Sequence, residues 1–188
     1  MHLFEREENR VPVWFMRQAG RYHKHYQAIR KDREFMKMCK SPELACEITL
    51  GPIEDFKFDA AILFSDLLFP LEHLGMGLNY LQGPPKLAFH VEDEENLKKI
   101  GPIGDATNFY KFQADALSLL KNQLPKGTSL LGFVGAPFTL FSYAACGAHA
   151  GALLPAKSAL YDGRFESFWQ HLRPVSYTHL TLPTTPYV

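Results

Sequence analysis

The sequence lacks a net charge, because 20 Lys and Arg residues balance 20 Asp and Glu residues. This balance gives no indication of nucleic-acid binding or of an anionic membrane partner. Cysteine is scarce, and Cys39, Cys46 and Cys146 are spaced neither as a disulfide framework nor as a zinc site. The N terminus has no apolar secretory segment and is too acidic for a transit peptide. These absences favour a cytoplasmic protein with reduced thiols and no bound metal.

Charged side chains are also missing from residues 127–156, a stretch long enough to span a bilayer. Its interior is interrupted by Gly132, Gly135, Pro137, Gly147 and Gly151, with Ser and Thr interspersed. Breakers at this density favour an apolar strand that leads through a Gly-Ala-Pro turn into a buried helix. We therefore expect no membrane-spanning segment.

Core-forming residues are abundant: 46% of the 188 residues are hydrophobic and 13% are aromatic, which is enough for a buried core. The charges are unevenly distributed. Residues 1–40 carry ten Lys and Arg against five acidic residues, whereas residues 41–100 carry four against eleven. A basic start can receive an anionic ligand, although scattered surface charge explains the same count.

Apolar runs alternate with helical patterns along the chain. The runs predict core strands at Val11–Met16, Ala60–Phe64 and Ser129–Val134, with a polar or glycine-containing segment after each. The intervening patterns predict helices. The first of them is opened by Ser41 and Pro42 and is kinked or restarted at Pro52. Further helices are predicted at 91–100, at 105–124, at a segment that carries Tyr143, and at 157–173.

This alternation predicts an α/β protein with a parallel sheet, either doubly wound or a (β/α)₈ TIM barrel. A closed barrel needs eight strands and about 250 residues, so a barrel with only about three core strands in residues 1–174 is incomplete. Residues 175–188 contain four Thr, two Pro and no charged residue. We expect this last segment to be a non-native tail.

The first candidate site is the loop Arg17-Gln18-Ala19-Gly20-Arg21, which follows the first predicted strand. Two guanidinium groups four residues apart, together with backbone N–H groups beside a glycine, can converge on carboxylates. A strand-end turn whose arginines pair with nearby acids explains the same residues equally well.

The second candidate site follows the second predicted strand. Asp66 has apolar neighbours there, and a charged carboxylate in such surroundings needs donors or a cation. Carboxyl ends of parallel strands are common active-site positions, but an Asp after a strand is more often a helix N-cap. Tyr143 can offer its phenol to a ligand or simply pack at an interface.

The segment Pro12–Arg21 is similar, at every fixed position, to the signature of the uroporphyrinogen decarboxylase family. Gly132–Tyr143 resembles the second signature of that family, and Phe64-Ser65-Asp66 resembles its catalytic strand end. The resemblance extends from about Val11 to Leu172.

The resemblance implies decarboxylation of the four acetate side chains of uroporphyrinogen III to give coproporphyrinogen III, without a cofactor, by a TIM barrel that forms homodimers. It also implies that residues 1–174 are the N-terminal part of that barrel. It implies that residues 17–21 bind the carboxylates of this tetrapyrrole and that Tyr143 contacts it. Asp66 would accept the central pyrrole N–H groups. Asp66 and Arg17 are the implied catalytic residues, Arg17 as the first candidate proton donor.

The sequence departs from the family pattern in two places, since His23-Lys24-His25 replaces Leu-Pro-Glu and Cys146 replaces Ala or Glu. The later Ser or Thr and His of the family site have no counterpart in residues 1–174, so we expect an incomplete site. Two alternatives remain. One is a barrel-related methyl-transfer enzyme with zinc, which the cysteine spacing disfavours, and the other is an inactive fragment that keeps part of an anion-binding surface.

Overall fold

The computed structural model describes residues 11–80, 83–91, 94–101, 104–147, 153–170 and 172. Their secondary-structure elements, in chain order, are α1 (Lys24–Arg30), α2 (Phe35–Lys40), α3 (Pro42–Phe56), β1 (Ala60–Ile62), α4 (Phe69–His73), α5 (Glu94–Leu97), α6 (Ala106–Phe109), α7 (Lys111–Gln123), β2 (Ser129–Leu131), α8 (Pro137–Cys146) and α9 (Leu154–Tyr161).

The chain divides into two compact units, one of residues 1–65 and 110–133 and the other of residues 66–109 and 134–188. The first unit contains a two-stranded parallel sheet in which β1 pairs with β2, with Ala60 opposite Ser129. Helices and a parallel sheet confirm the predicted α/β class.

The core of the first unit lies between α3, α7 and the sheet. One buried cluster joins Cys46 of α3 to Leu63 and Leu120, and a second contains Met38 and Ile48. Helix α3 begins as predicted, because the Ser41 side chain accepts a hydrogen bond from the Leu44 N–H at 3.3 Å and Pro42 occupies the first helical position. Pro52 does not end the helix, which continues to Phe56.

The predicted strand at Val11–Met16 is wrong, since this segment has no strand and Val11 is 81% exposed. Side chains from elsewhere take the hydrogen bonds that a strand would make. Asp59 accepts from the Val13 N–H through Oδ2 at 2.6 Å and donates its own N–H to the Val13 carbonyl. The second predicted strand, Ala60–Phe64, is shorter than expected, because β1 ends at Ile62 and the Phe64 N–H donates instead to Thr49 Oγ1 at 2.8 Å.

The predicted third strand is shorter than expected, because β2 ends at Leu131, and its residues are half-buried rather than buried. Within the described residues, β1 is its only strand partner. A parallel strand in an α/β fold is fully buried only when both of its faces and both of its edges are covered. Strand β2 is paired on one edge, which explains why it stays partly exposed.

The second unit places Tyr143 on α8, as predicted. This helix runs from Pro137 to Cys146 and is capped by Gly147, whose φ of 68° is the left-handed conformation that glycine adopts without steric cost. Its residues Leu140, Phe141 and Ala144 are fully buried. Among the residues that the structure describes, no helix is both long enough and apolar enough to cross a membrane.

The other predicted helices are present only in part. Residues 91–100 contain α5, and residues 105–124 form α6 and α7 with a break at Tyr110. The predicted helix 157–173 is interrupted, because α9 ends at Tyr161, residues 162–165 form turns, and residues 166–170 are helical again. The suspected tail, residues 175–188, lies outside the described residues.

Candidate functional site

The side chain of Gln18 connects the arginine loop to strand β1. It is 4% exposed, and its Nε2 donates to the Ala60 carbonyl at 2.7 Å while its Oε1 accepts from the Ile62 N–H at 3.0 Å. Backbone groups of successive strand residues face opposite edges, and Asp59 and Leu63 bond to β2, so Ala60 and Ile62 face away from it. The Gln18 amide therefore takes the place of a neighbouring strand at this edge.

The loop carries two exposed guanidinium groups, Arg17 and Arg21, on a fixed backbone. The Tyr22 hydroxyl donates to the Gln18 carbonyl, and Gln27 Nε2 donates to the Arg21 carbonyl. Within the described part of the chain, neither guanidinium group has an acidic partner. Among the residues that the structure describes, the ion-pair explanation of this loop thus has no acid to support it.

Arg17 also lines an open cavity of about 520 Å³ within the first unit. Among the described residues that line this cavity, Arg17 is the one with a formal charge. The Phe56 and Phe58 rings stack with centroids 5.4 Å apart, and Phe15 meets Phe58 edge-on at 5.5 Å. A cation beside aromatic walls suits a ligand with a flat apolar body and an anionic substituent. The remaining lining residues are Met16 and Tyr22.

His23, one of the departures from the family pattern, anchors the end of this loop. The side chain is buried, and its Nε2 lies 2.7 Å from Oδ2 of Asp55 on α3. Its backbone N–H donates to the Gly20 carbonyl at 2.9 Å. Sequence reasoning did not find this contact, because no motif connects two residues 32 positions apart.

Asp66, at the start of the second unit, has a half-buried carboxylate with a donor on each oxygen. Oδ1 accepts from the Leu68 N–H at 2.7 Å, and Oδ2 accepts from the Tyr80 hydroxyl. The residue before α4 is Leu68, so Asp66 is not the N-cap of that helix and instead closes an Asx turn in front of it.

Burial is the main cause that raises the pKa of Asp66, and the charge of Glu72 adds to it. The hydrogen bonds from Tyr80 and Leu68 act in the opposite direction and lower this pKa. The net pKa is raised above the ordinary aspartate value. A carboxylate so placed is stabilised further by any cation or N–H donor that a ligand brings.

Tyr143 lies close enough to Asp66 for an electrostatic effect. Burial, and then the charge of Asp66, raise the pKa of the Tyr143 phenol. The phenol is therefore protonated at neutral pH and can donate a hydrogen bond. The second unit thus brings two of the predicted site residues together.

Gly135 fixes the position of the loop that carries Asp66. Its N–H donates to the Leu67 carbonyl at 3.0 Å, and a Cβ at Gly135 would lie 2.7 Å from that oxygen and 2.6 Å from Leu140 Cδ2. A backbone oxygen at this distance cannot yield without moving the loop.

We expect Gly135→Ala to lower the free energy of unfolding by about 1–3 kcal/mol, as overpacking does, and to reduce any activity that depends on Asp66. Urea unfolding measures the first effect. Gly132→Ala is the matched control, because a Cβ at Gly132 meets no atom within 4 Å. Equal stability of the two variants would show that the close approach at Gly135 is not constraining.

The described residues contain no group of three His, Cys, Asp or Glu side chains that could hold a metal ion. Cys39 and Cys46 are buried, Cys146 is half-buried, and none of the three forms a disulfide. Burial raises the pKa of the Cys46 and Cys146 thiols, which keeps both protonated and unreactive at neutral pH.

Comparison with known proteins identifies the family. A sequence model of the family described as Uroporphyrinogen decarboxylase (URO-D) matches residues 3–168. Three curated proteins named uroporphyrinogen decarboxylase are similar to the chain. The protein of Vesicomyosocius okutanii is 43% identical over 75% of the chain and 41% of the relative. That of Syntrophotalea carbinolica is 41% identical over 85% of the chain and 46% of the relative. That of Drosophila virilis is 39% identical over 81% of the chain and 39% of the relative.

The chain therefore spans less than half the length of each of these relatives. The match nevertheless includes the arginine loop, Asp66 and Tyr143, because the family model extends over nearly all the described residues. On this evidence the chain belongs to the uroporphyrinogen decarboxylase family.

Proposed function

We propose that the whole protein removes the four acetate carboxyl groups of uroporphyrinogen III, without a cofactor, to give coproporphyrinogen III. The Asp66 carboxylate carries this proposal. Within the described part of the chain, each of its oxygens receives one donor and, with two lone pairs, retains capacity for another. Such a carboxylate can accept the pyrrole N–H groups at the centre of a tetrapyrrole. The names of the curated relatives support the same activity.

Loss of CO₂ breaks a carbon–carbon bond and leaves an electron pair on the methylene carbon. If the pyrrole is protonated first, the ring takes up that pair, so the substrate itself acts as the electron sink. An anionic Asp66 near the pyrrole cation contributes about 4 kcal/mol at a separation of about 4 Å and an effective dielectric constant of about 20. Arg17 is the first candidate proton donor, although guanidinium is a very weak acid.

Uroporphyrinogen carries eight carboxylates, and we assign some of them to the exposed guanidinium groups of Arg17 and Arg21. The backbone N–H groups of Gln18, Ala19 and Gly20 add donors on the same loop. The aromatic cavity beside Arg17 supports this assignment, since it offers an apolar wall next to a cation. Tyr143 contributes a phenol donor as a further substrate contact.

The family resemblance also leads us to propose that residues 1–174 are part of a TIM barrel, that the whole protein forms homodimers in the cytoplasm, and that residues 175–188 are non-native. The parallel pairing of β1 with β2 supports the barrel, because barrel strands are parallel.

Arg21→Gln in the full-length protein is expected to raise KM for uroporphyrinogen on the order of tenfold, with a smaller change in kcat. The reason is the loss of one charge-assisted hydrogen bond to a carboxylate that does not react. Steady-state kinetics at low ionic strength measure this effect. The control is Arg164→Gln, since Arg164 pairs with Asp162 at 3.3 Å on an exposed surface. An unchanged KM would remove Arg21 from the substrate site.

A further inference from the structure

Tyr80 belongs to none of the sequence motifs that indicated a site, yet its hydroxyl donates to Oδ2 of Asp66. It lies 14 residues after Asp66 and directly follows Asn79. Two backbone hydrogen bonds of 2.9 Å, one in each direction between Asn79 and Lys86, fix the chain at this point. The backbone next to Tyr80 is therefore constrained, which limits the positions that its phenol can take near Asp66.

We propose that Tyr80 is a positioning residue for Asp66, whose phenol holds the carboxylate in the orientation that receives the substrate. The catalytic consequence rests on the function proposed above, whereas the hydrogen bond itself does not. The site requires such a residue because rotation about the terminal carboxylate bond is otherwise weakly restricted.

The two donors described on Asp66 each hold a different oxygen of the carboxylate. The Leu68 N–H, fixed by the turn, holds Oδ1 at 2.7 Å, and Tyr80 holds Oδ2. With both donors present, the plane of the carboxylate is defined and the remaining lone pairs point in fixed directions. With Tyr80 removed, one donor remains and the carboxylate can rotate about the Leu68 contact.

Tyr80 also stabilises the charged form of Asp66. Its hydrogen bond lowers the Asp66 pKa against burial and the charge of Glu72, both of which raise it. A phenol that donates to a carboxylate makes a charge-assisted bond, and that bond is weakened when the carboxylate is protonated. Removal of the phenol should therefore move the Asp66 pKa further upward.

The direct test is an NMR titration of the Asp66 carboxyl carbon in the 188-residue chain and its variants, with the signal assigned by its loss in Asp66→Asn. We expect Tyr80→Phe to raise the apparent pKa of Asp66 by about one unit. Tyr161→Phe is the control, because Tyr161 is 92% exposed and should change nothing. Equal titration curves for Tyr80→Phe and the unmodified chain would overturn the proposal.

The second test is kinetic and uses the full-length protein. Tyr80→Phe should lower kcat/KM on the order of tenfold and move the acidic limb of its pH profile upward by the same shift that the titration measures. A pH profile identical to that of the unmodified enzyme would overturn the positioning role. Absence of decarboxylation by the unmodified enzyme would refute the proposed function, while the titration would still decide whether Tyr80 controls Asp66.

Discussion

Asp66→Asn in the full-length protein should lower kcat/KM for uroporphyrinogen by on the order of a thousandfold. Asparagine has nearly the volume of aspartate and keeps one acceptor oxygen, but it carries no charge to stabilise a pyrrole cation. The measurement is steady-state production of coproporphyrinogen. Asp115→Asn is the matched control, since the Asp115 carboxylate pairs with Lys111 at 2.9 Å on an exposed face of α7.

The same substitution separates loss of charge from loss of fold. Because the folded pKa of Asp66 is raised, the folded state binds a proton more tightly than the unfolded state does. Stability therefore falls as pH rises from the ordinary aspartate pKa through the raised folded pKa. At a pH above the raised folded pKa, Asp66→Asn should raise Tm, because it removes a buried charge. Activity within tenfold of the unmodified enzyme, or a loss of activity together with a lowered Tm, would contradict the role of Asp66.

The elements that the sequence predicted well are those with local signals. Ser41 and Pro42 define the start of α3 through contacts within one helical turn. The predicted Gly-Ala-Pro turn leads into α8, which begins at Pro137 and carries Tyr143. Such caps depend on residues three or four positions apart, so the sequence alone contains the information.

The predicted strand at Val11–Met16 failed for the opposite reason. Its β-branched and aromatic residues fit a pleated sheet, but strand preference depends on the partner strand, and no local pattern specifies a partner. Here the side chains of Gln18 and Asp59 make the backbone contacts instead. Tyr80 was missed likewise, because its contact with Asp66 depends on the path of the intervening loop.

Gln18 shows how one residue of a family motif can serve the fold while its neighbours are assigned to a ligand. Its side chain is buried against β1, whereas the guanidinium groups on either side of it are exposed. Its two hydrogen bonds to Ala60 and Ile62 hold the arginine loop at a fixed position relative to β1. The placement of Arg17 and Arg21 thus depends on an amide that need not touch substrate.

Gln18→Ala is therefore expected to lower the free energy of unfolding by on the order of 2–4 kcal/mol, because the Ala60 carbonyl and the Ile62 N–H both lose a buried partner. Urea unfolding of the 188-residue chain measures this loss. Gln123→Ala, at the exposed end of α7, is the control and should stay within about 0.5 kcal/mol of the unmodified chain.

Gln18→Glu tests the hydrogen-bond pattern itself. Glutamate keeps an acceptor for the Ile62 N–H, but its second oxygen would face the Ala60 carbonyl, which needs a donor. We expect a destabilisation at neutral pH that decreases in acid, where the protonated carboxyl group can donate to that carbonyl. Equal stability of Gln18→Glu and the unmodified chain at neutral pH would show that the amide donor is dispensable. The loop would then have to be held by the contacts of Tyr22, His23 and Gln27 alone.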